Sequence, residues 1–153
     1  MGVLYTIVPL DESLAAYIRD VGGVVPQWSG PSRNPTPQEV RAVCGELSDL
    51  KVTMYSPPEH AWQIMIEGFH DADDEPWTLL NVFEFNGDET QPHAIWFDKG
   101  WPSLILRIVR ELSAHCGPLV IVPDTGCNPI VVSAHDDVAK LFATWEHTRE
   151  GDR

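Results

Sequence analysis

KVTMY at 51–55, WQIMIE at 62–67, WTLLNVFEF at 77–85 and HAIWF at 93–97 are four short runs rich in β-branched and aromatic residues. Pro57-Pro58, the Asp-rich segment 71–75 and Asn86-Gly87 separate them, and such punctuation marks turns between strands rather than breaks in a helix. The reading is an antiparallel four-strand meander at the centre of the chain, with Asn86-Gly87 in the connection between its last two strands. Helices are expected around it.

Upstream, Val3 to Val8 reads as an opening strand ended by Pro9, and Asp11 caps a helix that buries Leu14, Tyr17, Ile18 and Val21 and stops at Gly22-Gly23. Thr36-Pro37-Gln38-Glu39 is a capping box with proline at the first helical position, where its missing N–H costs nothing. The helix it starts runs to about Leu47 with Val40, Val43, Cys44 and Leu47 on its apolar face. Downstream, Trp101-Pro102 opens a helix whose Leu104, Ile105, Ile108, Val109 and Leu112 keep a 3.6-residue period until Gly117-Pro118. Leu119 to Val122 and Ile130 to Val132 read as short buried strands. The last helix spans about Asp136 to His147, with Ser133 and Asp136 as its capping box. The order lacks the strand–helix alternation of a doubly wound sheet, so the fold class is α+β: an antiparallel sheet packed by about four helices. One domain occupies 1–150, and 151–153 form a disordered tail.

A chain of 153 residues, 43% apolar, can bury a core without staples. No apolar run reaches the length of a membrane span, and the opening strand lacks a signal peptide's basic flank. Three cysteines, Cys44, Cys116 and Cys127, form no C-x-x-C pair, which fits a reducing cytoplasmic location.

Net charge is -13, and no Lys or Arg stands between Lys51 and Lys99. That stretch holds Glu59, Glu67, Asp71, Asp73, Asp74, Glu75, Glu84, Asp88, Glu89 and Asp98. Such a field repels phosphate backbones and anionic lipid, so neither nucleic acid nor membrane is an expected partner, whereas a basic protein surface is attracted. Six tryptophans are many for this length, and aromatic side chains among carboxylates suit a protein-binding surface. The expected rim is Asp71, Asp73, Asp74, Glu75, Asp88 and Glu89, with Trp77 or Trp96 as anchors.

Signals for chemistry are sparse. Asp124-Thr125-Gly126 follows an apolar strand as the catalytic Asp of an aspartic protease does, but that mechanism needs two carboxylates, and a simple β-turn built from Asp, Thr, Gly and Asn is the better reading of the triplet. Six histidines show no helical metal spacing, and Asp71, Asp73 and Asp74 lack the Gly and Glu of a calcium loop, so no cofactor or metal is expected. Cys116 and Cys127 beside His115 and His135 are thiols without a fixed base. A small enzyme using Asp124 or a Cys/His pair, and a general adaptor, stay open as alternatives.

With Trp96-Phe97-Asp98-Lys99-Gly100-Trp101-Pro102 and the segment from Cys116-Gly117-Pro118 to Pro129 in view, the chain resembles the small acidic immunity proteins that bacteria encode beside polymorphic toxins. The resemblance implies a non-enzymatic inhibitor that covers the active site of a cognate, basic toxin.

Overall fold

The structure, a computed structural model, describes residues 3–28, 30–55, 61–68, 76–83, 88–125 and 128–151, with the backbone alone for 61 and 146–151. The elements are β1 (Leu4–Pro9), α1 (Glu12–Asp20), α2 (Pro37–Gly45), β2 (Lys51–Tyr55), β3 (Ala61–Glu67), β4 (Trp77–Phe83), β5 (Ile95–Gly100), α3 (Pro102–Cys116), β6 (Leu119–Pro123), β7 (Ile130–Val132) and α4 (Val138–Gly151).

The α+β class holds, but the sheet is larger than a four-strand meander. Seven strands form one antiparallel sheet in the order β2-β3-β4-β5-β1-β6-β7. The meander is present as β2 to β5. β1 then fills the position between β5 and β6, and β7 ends the sheet as a short edge.

One sheet face is apolar from end to end: Ile64 and Ile66 of β3, Leu80 and Val82 of β4, Ile95 and Phe97 of β5, Ile7 of β1 and Ile121 of β6 share a core with α2, α3 and α4. α3 lies at the centre of that layer, with Leu104, Ile105, Leu106, Ile108, Val109 and Leu112 all buried. Each such side chain contributes roughly 1.5–3 kcal/mol relative to exposure. Trp145 of α4 is buried with its ring edge-on to Tyr5 of β1 at 5.3 Å.

Among the described residues the opposite face is covered by a helix at one end only. Leu14, Ala15 and Ile18 of α1 pack with Val25 and Trp28 over Val8, Val120, Val122 and Val131, which belong to β1, β6 and β7. Tyr17, expected on the buried side of α1, is instead exposed.

Local signals agree with the termini they predict in three of four helices. Asp11 Oδ1 accepts from Leu14 N–H at 2.7 Å, and the Thr36–Glu39 box is closed in both directions. α3 starts at Pro102 as expected. α4 starts two residues late: the Asp136 carboxylate turns back to the Ser133 N–H, while Asp137 accepts from Ala139 N–H at 2.9 Å and its carbonyl from Leu141 N–H. The helix also runs past the expected end near His147, through Gly151.

Candidate functional site

Strand alternation sends every second side chain of β2 to β5 away from the helical layer, onto the half of the sheet that α1 does not reach. The register aligns these side chains in rows. Tyr55, Gln63, Asn81, Trp96 and Thr6 form one row across β2, β3, β4, β5 and β1. Thr53, Met65, Leu79, Asp98 and Leu4 form the next, followed by Lys51, Glu67 and Trp77. At ordinary strand spacing the five strands make a platform about 19 Å wide. Among the described residues no helix lies over it.

The platform is apolar where most sheet faces of this exposure are polar. Tyr55 is 50% exposed, Phe83 46% and Trp77 38%, while Met65, Leu79 and Trp96 are half-buried. Phe83 and Trp96 meet edge to face at 5.7 Å, an arrangement that fixes both rings. Behind them Asn81 is only 1% exposed, its Oδ1 accepting from Gln63 Nε2 at 3.1 Å. That bond occupies the Gln63 amide nitrogen and leaves its carbonyl oxygen as an acceptor on the platform.

A β-bulge shapes the end of the platform. Thr78 pairs with Gly100 but Leu79 with Asp98, so Lys99 is the extra residue, at φ 61°. The Thr78 hydroxyl donates to the Lys99 carbonyl at 2.8 Å, and Lys99 N–H bonds the Val3 carbonyl. Asp98 precedes the bulge and lies on the platform face by the same strand alternation as Trp96.

The expected partner-binding residues divide. Trp77 and Trp96 both lie on this face. Glu89 does not serve it: its carboxylate accepts from Arg41 Nε at 2.9 Å, and the Arg41 guanidinium lies 4.8 Å from the centre of the buried Trp62 ring, on the helical side. Asp88 closes its own turn, accepting from the Thr90 N–H and hydroxyl, which holds its carboxyl below the usual range. Asp71, Asp73, Asp74 and Glu75, like His60, His70, Asn86-Gly87, Gly126 and Cys127, lie outside the described residues. Their segment leaves and rejoins the sheet at Gly68 and Pro76, which are hydrogen-bonded at 3.0 Å. Sequence reasoning missed Tyr55, Gln63, Met65, Leu79, Phe83 and Asp98. Their signal was the apolar character of alternate positions on both faces of β4.

Two of the groups considered for chemistry, Asp124 and Cys116, have defined contacts. Asp124 Oδ1 accepts from Leu4 N–H at 3.1 Å, and Asp124 N–H bonds the Leu4 carbonyl, so this residue closes the β1–β6 pair. Cys116 lies 3.9 Å from Arg33 and 4.0 Å from Glu39, yet burial pushes its thiol up to about 12, far from a thiolate nucleophile. Among the described residues no three His, Cys, Asp or Glu side chains converge as a metal site. A cavity of about 310 Å³ opens on the helical side near Leu50 and Leu104, but its Arg107 is held in a two-bond fork by Asp49 at 2.7 and 2.8 Å. No described helix is long and apolar enough to cross a membrane.

Glu39 is the most perturbed carboxylate. The Arg33 fork at 2.7 and 2.8 Å, helped by the Thr36 N–H, outweighs desolvation and holds it down at about 2. Arg33 also bonds the His115 carbonyl, so this pair ties the loop before α2 to the end of α3. A lowered carboxyl stabilises the fold above its unfolded value near 4.5, and that contribution is lost as pH falls toward 2. Glu39→Gln should therefore lower stability by about 1–2 kcal/mol at pH 7, discounted for solvent around Arg33, and narrow the gap to wild type between pH 4.5 and 2. Urea melts across that range check it. A gap independent of pH would mean that the ion pair contributes nothing.

No family model matches the chain, and no curated protein or solved structure matches it.

Proposed function

We propose that the chain is a non-enzymatic binding protein that captures a basic protein on the uncovered half of its sheet, and that this partner is a toxin which it inhibits. The observation that carries the reading is the platform of β2 to β5: exposed aromatic side chains on a rigid sheet, in a stretch of chain without a single Lys or Arg between Lys51 and Lys99. Rigid aromatics provide contact area at low entropic cost, and the carboxylates of Glu67 and Asp98 select a cationic counterpart. Glu67 stands directly opposite Trp77, and Asp98 lies two residues from Trp96 on one strand. In sequence, Asp71, Asp73, Asp74 and Glu75 stand between Glu67 and Trp77. The resemblance to immunity proteins supplies the identity of the partner class.

The test starts with the tagged protein in lysate of its source at low salt, followed by mass spectrometry and recombinant production of any protein that co-purifies in near-equal amount. Association with that protein should weaken about tenfold or more between roughly 50 and 500 mM salt, because exposed charge pairs are screened over about 10 Å at 0.1 M. Glu67→Gln with Asp98→Asn should weaken it further, and co-expression should protect cells from the captured protein. A partner whose affinity ignores both salt and these substitutions would overturn the platform, and a harmless partner would overturn the inhibitor role.

A further inference from the structure

We infer that the platform is selective for arginine over lysine, seating a partner's guanidinium against Trp96 with the Asp98 carboxylate and the Gln63 carbonyl oxygen as acceptors; this rests on the basic-partner reading above. A guanidinium is planar, stacks on aromatic faces and forks onto carboxylates, whereas an ammonium is a compact, strongly hydrated point charge. The platform offers the first kind of seat. Trp96 is braced by Phe83, Asp98 has no hydrogen bond or ion pair among the described residues, and Gln63 Oε1 is left over once its nitrogen is committed to Asn81.

The protein already builds this seat once for itself. On the helical side Arg41 lies over the Trp62 ring at 4.8 Å while its Nε donates to Glu89 at 2.9 Å. Trp96 with Asp98 repeats the aromatic and carboxylate pair on the other face of the same sheet. There the nearest cations in sequence are Lys51 and Lys99, the first at the margin of β2 and the second turned out of register by the bulge.

The experiment titrates the full chain with octa-arginine and, separately, octa-lysine at low salt, reading tryptophan fluorescence and calorimetry. Octa-arginine should bind at least about tenfold more tightly, a difference of ~1.4 kcal/mol. Asp98→Asn and Trp96→Leu, each checked for an unchanged far-ultraviolet spectrum, should reduce that ratio to near one. Asp98→Asn is the conservative variant and keeps the test alive should Trp96→Leu fold poorly. Equal binding of the two peptides to wild type would overturn arginine selectivity while leaving the basic-partner reading intact. Selective binding that survives both substitutions would place the guanidinium elsewhere and overturn the seat. No binding of either peptide would overturn both readings.

Discussion

Replacing Trp145 with alanine should cost about 3–5 kcal/mol and lower the melting temperature by roughly 10 °C. Trp145 is fully buried, and its ring meets Tyr5 of the interior strand β1 edge-on at 5.3 Å. The other described apolar residues on α4, Val138, Leu141 and Phe142, are only partly buried, so the indole is the main fastening of the C-terminal helix. Its removal leaves a cavity between α3, α4 and the sheet that the rigid sheet cannot close. Urea unfolding with near-ultraviolet dichroism reads both the loss of stability and the loss of the indole's fixed surroundings. A change under about 1 kcal/mol would show that α4 is not fastened through Trp145.

Gly100→Ala should cost about 2–4 kcal/mol despite adding a single methyl group. The residue sits at φ +115°, and an added Cβ would lie 2.5 Å from Thr78 Cβ, 2.6 Å from its hydroxyl and 2.6 Å from the Trp77 carbonyl oxygen. Backbone cannot retreat there. Trp77 O also accepts from Trp101 N–H, and Thr78 is fully buried with its hydroxyl on the Lys99 carbonyl. Relief would require reopening the bulge that pairs Gly100 with Thr78, next to the Leu79–Asp98 pair. The variant is therefore expected to lose partner affinity as well as stability, measured by thermal melts and by the same binding assay as wild type. A melt within about 0.5 kcal/mol of wild type would refute the close approach of β4 and β5.

Local chemistry was readable from sequence where it is settled within a few residues. The Thr36–Glu39 box, the Asp11 cap and the 3.6-residue period of α3 each involve neighbours along the chain, and the four runs of the meander are bounded by their own turn residues. Partner choice between distant strands carries no such local mark. Nothing in Val3 to Val8 says that it lies between β5 and β6 rather than at an edge, so a seven-strand sheet was not legible. The same limit applied to the site. Glu89 and Asp98 look alike in sequence, but Arg41 from α2 takes the first, while the register of β5 puts the second on the open face beside Trp96. The bond from Leu4 N–H to Asp124, across 120 residues, likewise has no mark in the sequence. For Tyr17, helical spacing indicated a buried face, while α1 covers only the β1, β6 and β7 end of the sheet and leaves the ring outside.

The interior position of β1, between β5 and β6, bears on how the protein is made. β1 leaves the ribosome first, yet its two neighbours are Ile95–Asp98 and Leu119–Pro123. At roughly 5–20 residues per second its edges wait on the order of ten seconds for partners. During that interval the hairpins of β2 to β5, whose partners are close in sequence, can pair before β1 has both of its neighbours.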